Sequence, residues 1–229
     1  AEGVTWGHWH FVAADVDKQM EFWKTLGGVP VEHGPLKMIS FPGTYILVRK
    51  ADNIQPTMGS NVNHVGLYVK DLNEAKTKWK AAGLSIDLLP NPNAPNFFLN
   101  GPDGIRIEIY ENKQLDAPVT SHHTHFNATD AVAVREWYRK WFGGTAGERN
   151  GSQTDQIPGM ELAVLPVKEA QAPTKGRALD HVGFEVKNLS ALLEKLKAAG
   201  IAIENGPRQI PNTNLTVAFI TDPWGTYIE

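Results

Sequence analysis

The sequence predicts an α+β fold of four successive βαβββ units. Three observations predict it. One phrase is written four times: GHWHFVAAD from Gly7, NHVGLYVKD from Asn63, HHTHFNATD from His122 and DHVGFEVKN from Asp180. A recurring period marks a repeated structural unit. Each phrase runs into an amphipathic stretch that ends in glycine. Each unit then closes on a strand-like run entered through a turn containing Pro and Gly.

In the first unit Asp15 caps a helix carrying Val16, Met20, Trp23 and Leu26 on one face, and Gly27 and Gly28 stop it. In the second, Asp71 and Glu74 form a capping box ahead of Leu72, Ala75, Trp79 and Ala82, with Gly83 as the stop. The third places Val134, Trp137 and Trp141 on one face before Gly143 and Gly144. The fourth places Leu189, Leu192, Leu193 and Leu196 before Gly200. Apolar stripes at this spacing are core faces. The closing strands are TYILV from Thr44, IRIEIY from Ile105, MELAVL from Met160 and TYIE from Thr226.

The turns FPG, GPDG, IPG and DPWG introduce these last strands. Four places beyond each turn's final Gly stand Leu47, Glu108, Ala163 and Glu229, so only the second and fourth units offer a carboxylate. The chain therefore divides into residues 1–116 and 119–229, two units each, joined around Asp116, Ala117 and Pro118. Each half repeats one order of side chains: His8, His64, Glu108, then His123, His181, Glu229. The expectation is one site per half.

At 229 residues the chain accommodates two domains with real cores. A net charge of −3 without a basic stripe points away from nucleic acid, and no apolar run approaches the roughly 18 residues of a membrane helix. A small molecule is the expected partner, with a homodimer as an option. The absence of Cys excludes disulfides and thiolate sites, so any metal falls to His and carboxylate. The chain starts at Ala1 rather than Met, which suits either signal-peptide removal or deliberate trimming, and the compartment stays open between cytoplasm and periplasm.

The four His-bearing phrases and the two Glu-bearing final strands resemble the vicinal oxygen chelate superfamily, which includes glyoxalase I, extradiol dioxygenases, and fosfomycin and bleomycin resistance proteins. The resemblance covers essentially the whole chain. It implies units paired into two glyoxalase-like domains whose curved mixed sheets form cups, each holding a divalent metal (Fe, Mn, Zn or Ni). It assigns the ligands to His8, His64, Glu108, His123, His181 and Glu229. Two imidazoles and a carboxylate leave positions open for substrate oxygens.

Residues two apart on a strand face the same way, so His10 and His125 should share the cups as ligands, hydrogen-bond donors to a ligand, or general bases. Their counterparts Gly66 and Gly183 leave room there. Arg106 and Tyr227, two before each Glu, should also face inward and position substrate. His33 and His122 read as core or rim residues, as do Trp6, Trp9 and Phe97, with Phe98 and these aromatics as alternative pocket walls.

Against the extradiol pattern, Phe98 and Phe219 stand where that group carries Tyr, and Arg49 and Pro166 where it carries an acid/base His. Glyoxalase I draws a Glu from both units that meet at a site, where this chain has Leu47 and Ala163 in the first and third. The expected function is a metal-dependent enzyme of glyoxalase, lyase, isomerase or dioxygenase type acting on vicinal oxygens. The alternatives are a metal-free binding module of the bleomycin-resistance kind and a closed structural metal site.

Overall fold

A computed structural model describes residues 3–91 and 94–229. The first unit comprises β1 (Val4–Ala13), α1 (Val16–Thr25), β2 (Val29–His33), β3 (Leu36–Phe41) and β4 (Thr44–Lys50). The second comprises β5 (Val62–Val69), α2 (Leu72–Ala81), β6 (Ser85–Asp87), β7 (Asn96–Asn100) and β8 (Arg106–Glu111). The third holds β9 (Val119–Ala128), α3 (Ala131–Phe142), β10 (Thr145–Arg149), β11 (Ser152–Ile157) and β12 (Met160–Pro166). The fourth holds β13 (Leu179–Val186), α4 (Leu189–Ala198), β14 (Asn205–Gln209), β15 (Thr216–Thr221) and β16 (Tyr227–Ile228). Four βαβββ units are thus present.

The local signals act as the sequence implies. Asp15, Asp71, Asp130 and Asn188 each accept backbone N–H groups in the first turn of their helices. The last glycine of each Pro/Gly turn, Gly43, Gly104, Gly159 and Gly225, has φ between 79° and 97°. That left-handed conformation strains any residue with a Cβ, which explains why glycine recurs there.

The sheets pair differently from the expected halves. One eight-stranded mixed sheet runs β14-β15-β16-β13-β1-β4-β3-β2 and the other β10-β11-β12-β9-β5-β8-β7-β6. The first unit therefore joins the fourth, and the second joins the third. The two seams are antiparallel, β1 against β13 and β5 against β9.

On β1, Trp9 and Phe11 are fully buried in the core, so His8 and His10 fall on the opposite, cup-facing side. Trp9 Nε1 donates to Thr124 Oγ1 across the two sheets at 2.9 Å. Trp6, Trp9 and Phe97 are core residues. Burying each such aromatic contributes on the order of 2–3 kcal/mol. Phe142 of α3 stacks on Phe184 of β13 at 3.9 Å, so a helix of one sheet also covers the other.

Both seams are irregular at matching places. Trp6 pairs with Phe184 and His8 with Gly183, which leaves Gly7 without a partner in the ladder. The same slip leaves Asp180 between the Leu179 and His181 pairs, Asn63 between those of Val62 and His64, and His122 between those of Ser121 and His123. The residue immediately before each of His8, His64, His123 and His181 is a bulge. A bulge re-aims its side chain locally.

Candidate metal centres

At the base of one cup His64 (β5), His123 and His125 (both β9) and Glu108 (β8) bring one donor atom each to within 4.8 Å of the others. At the base of the other, His8 and His10 (β1), His181 (β13) and Glu229 do the same. The two groups are near copies. His64 Nε2 lies 3.2 Å from Glu108 Oε2, and His181 Nε2 lies 3.0 Å from Glu229 Oε2. His123 Nε2 is 3.2 Å from Glu108 and His8 Nε2 is 3.6 Å from Glu229. The rings of His125 and His64, and of His10 and His181, lie 4.3 Å apart.

This placement corrects the grouping expected from chain order. His8 does not meet His64 and Glu108, and His123 does not meet His181 and Glu229. Because the sheets join first to fourth and second to third units, His8 meets His181 and Glu229, while His123 meets His64 and Glu108. Both centres are complete within one chain.

Glycine makes the room. A Cβ on Gly66 would lie 2.1 Å from His123 Nδ1, and one on Gly183 would lie 2.0 Å from His8 Cε1. Each glycine is therefore the floor on which the neighbouring strand's imidazole rests.

The residues fit a divalent cation on structural grounds. Asn63 Oδ1 accepts from His64 Nδ1 at 2.9 Å, and the Glu108 carboxylate faces the other ring nitrogen, Nε2, at 3.2 Å. Asp180 Oδ1 fixes His181 in the same way, 2.7 Å from Nδ1. Buried nitrogens also stand without partners, namely His8 Nε2, both ring nitrogens of His10 and Nδ1 of His125. Unsatisfied buried donors or acceptors are costly unless a ligand completes them.

The electrostatics favour the ligand forms of His10, His64, His125 and both carboxylates, while Asp180 and Glu229 raise His181 toward its charged form. Burial, assisted by neighbouring imidazoles, holds His10 and His125 down to about 2, and burial holds His64 to about 4 despite Glu108. Burial opposes ionisation of Glu108, but hydrogen bonds from His123 and His64 outweigh it and keep the carboxyl well below its usual range. Glu229 is held down likewise by His181 and His8. Neutral imidazole and ionised carboxylate are the ligand forms.

Three supporting residues escape sequence reasoning. Asn63, Asp180 and His122 each sit in a bulge and reach Nδ1 of the next His, at 2.9, 2.7 and 3.0 Å. The signal was present, since each directly precedes the motif's His. However, regular alternation assigns neighbours to opposite faces. His122 is buried as expected, with its ring stacked on Tyr68 at 3.8 Å. Arg49 also joins this layer, its Nη2 donating to Asp180 Oδ2 at 2.8 Å.

Arg106 and Tyr227 do not enter the four-residue groups. The Arg106 guanidinium lies over the Phe98 ring at 4.0 Å, and Tyr227 stacks on Phe219 at 5.0 Å. Phe98 and Phe219 in turn meet His64 and His181 edge to face, each at 5.3 Å.

An open cleft of about 810 Å³ adjoins the centre of His64, Glu108, His123 and His125, lined by His64, Phe98, Glu108, His125 and, beyond them, Arg135 and Arg149. Of the aromatics considered as pocket walls in the sequence, only Phe98 lines it.

Residues 120–229 match the Glyoxalase/Bleomycin resistance protein/Dioxygenase superfamily. No curated protein sequence matches the chain. Among solved structures, glyoxalase I from Zea mays aligns over 98% of this chain and 91% of its own with a TM-score of 0.77 at 16% identity. A "putative dioxygenase" from Bacillus subtilis subsp. subtilis str. 168 aligns over 99% of this chain and 84% of its own, with a TM-score of 0.72 at 10% identity. Such identities establish fold. The chain thus has the glyoxalase-like two-domain α+β fold with curved sheets, and residues 120–229 carry a domain of the vicinal oxygen chelate superfamily.

Proposed function

We propose that the protein is a divalent-metal-dependent enzyme that acts on a small molecule with adjacent oxygens, at the centre formed by His64, Glu108, His123 and His125. The observation that carries this reading is the convergence of three imidazoles and one carboxylate, within 4.8 Å, at the wall of the larger cleft. A bound Fe, Mn, Zn or Ni ion would supply Lewis acidity to two neighbouring substrate oxygens.

The chain's own residues supply the rest. Asn63 and His122 hold His64 and His123 in one orientation. Glu108 is fixed as the anion, its other oxygen accepting from Asn96 Nδ2. His125 keeps Nδ1 free at the cleft wall, as a ligand or as acceptor of a substrate proton. Phe98 excludes water from one side, and Arg106 positions it from behind. With Phe98 where the extradiol pattern carries Tyr, glyoxalase, lyase or isomerase chemistry asks less of the site than ring cleavage does. His8, His10, His181 and Glu229 form a second metal centre, with Tyr227 positioning Phe219 as Arg106 positions Phe98.

A metal-free binder of the bleomycin-resistance kind has no use for converging lone pairs, which favours the enzyme. Elemental mass spectrometry on protein purified without chelator tests the reading. The expected result is two metals per chain, falling to one in His64→Ala and to one in His181→Ala. No metal in the parent after reconstitution would overturn it.

A further inference from the structure

Arg135, on the second turn of α3, is only 8% exposed and lines the substrate cleft. Its Nε is buried without a hydrogen-bond partner. The nearest carboxylate oxygen, Asp155 Oδ2, is 3.9 Å away, beyond hydrogen-bond reach, and is itself unpartnered. The other oxygen of Asp155 accepts from Arg139 Nε, so its single negative charge stands between two guanidiniums. Two guanidiniums therefore share one buried carboxylate, and one positive charge is left over.

The other charged groups around the cleft do not cancel it. Arg149 is matched by Glu161 Oε1, 2.7 Å from its Nε, and lies over the Tyr110 ring. Asp130 is exposed and caps Ala133 N. Glu136 and Glu148, exposed beside Arg139, belong to the neighbouring smaller cleft, which Arg135 also lines. Glu108 faces the imidazoles. A buried guanidinium with an idle donor costs stability unless an anion completes it.

We propose that Arg135 is an anion-binding subsite of the cleft, so that the substrate carries a carboxylate or phosphate in addition to the oxygens that meet the metal centre. This assignment rests on the cleft being the substrate site. A planar guanidinium suits such oxyanions, and a partly desolvated charge-assisted hydrogen bond is among the stronger polar contacts available.

Two measurements test it. In chelator-treated protein, the ¹⁵N–¹H signal of Arg135 Nε, assigned by its loss in Arg135→Lys, is followed during titration with benzoate and, separately, phenyl phosphate. A saturable shift is expected, and the tighter of the two names the anion. In zinc-loaded protein, calorimetry compares benzohydroxamate with 4-carboxybenzohydroxamate. The carboxylate form should bind about tenfold tighter to the parent, and with no advantage to Arg135→Gln, at unchanged zinc content. No shift with either anion, or a preference that survives Arg135→Gln, would overturn the proposal. A parent that fails to take up zinc would instead sink the metal reading and leave the titration to decide on the anion site.

Discussion

Asp180 Oδ1 accepts the Nδ1 hydrogen of His181 at 2.7 Å, and it does so from a bulge that precedes the imidazole by a single residue. Asp180 is 2% exposed and is itself steadied by Gly176 N at 2.7 Å and by Arg49. Burial opposes its ionisation, but His181, Gly176 and Arg49 prevail and hold it at about 2. In the other centre the equivalent partner is the neutral Asn63. A carboxylate behind a ligand imidazole raises its basicity more than an amide does. Asp180→Asn should therefore weaken metal binding at the His8, His10, His181 and Glu229 centre by roughly 10–100-fold, leaving the other centre unchanged. Competition against a calibrated chelator reads this directly, and equal loss at both centres would contradict it.

The glycine floors give a second test. Gly66→Ala and Gly183→Ala each place a methyl group about 2 Å from an imidazole atom. The ring must leave its position or the strands must part. Each variant should lose one metal of two and about 1–3 kcal/mol of stability by urea unfolding. Retention of both metals at parental affinity would show that the rings are not held by these floors.

Acid should destabilise the metal-free protein early. His10, His122 and His125 are held to about 2 and His64 to about 4, with burial the first cause in each case. Unfolded His titrates near 6.5. Below that value the unfolded chain binds protons that the folded one refuses, so each group removes about 1.4 kcal/mol per pH unit. The loss from His64 ends near pH 4 and the others continue toward 2. His181 works oppositely: its folded value is raised, because Asp180 and Glu229 overcome burial, so its contribution is complete below 6.5 and fades as pH rises. With four lowered groups against one raised, the melting temperature of chelator-treated protein should fall steadily below pH 6.5. His122→Phe should lessen that slope by about one proton, and an unchanged slope would refute the assignment.

A fourth expectation concerns the turn that delivers Glu229. Asp222 Oδ1 accepts from Trp224 N at 3.0 Å and Thr226 N at 2.7 Å, while Oδ2 accepts from Tyr138 Oη at 2.9 Å. Asp222→Ala leaves buried donors unpaired and should cost about 3 kcal/mol in urea unfolding. Metal should be lost from the His8, His10, His181 and Glu229 centre only. Tyr138→Phe removes one hydrogen bond and should cost about 1 kcal/mol.

Much of this was legible in the sequence because it is encoded locally. The capping Asp and Asn residues, the glycines in the turns and the period of the His phrases all act within a few residues of themselves. The side-by-side placement of His8 with His10, and of His123 with His125, follows from strand alternation. What could not be read was the choice of partner unit, since β1 can bury its edge against β5 or β13 with similar side chains. The groups behind the imidazoles were hidden for another reason. Asn63, His122 and Asp180 reach forward only because the ladder slips at each of them, and a slip depends on both strands at once.

The nested pairing of units sets an order of assembly. Every strand of the inner sheet lies between residues 62 and 166, and its seam joins neighbouring units. The outer sheet brings His8 against Glu229, 229 − 8 = 221 positions later. Closing so long a loop is slow compared with joining adjacent segments. During synthesis, the centre beside the large cleft can form before the residues that finish its twin have been made.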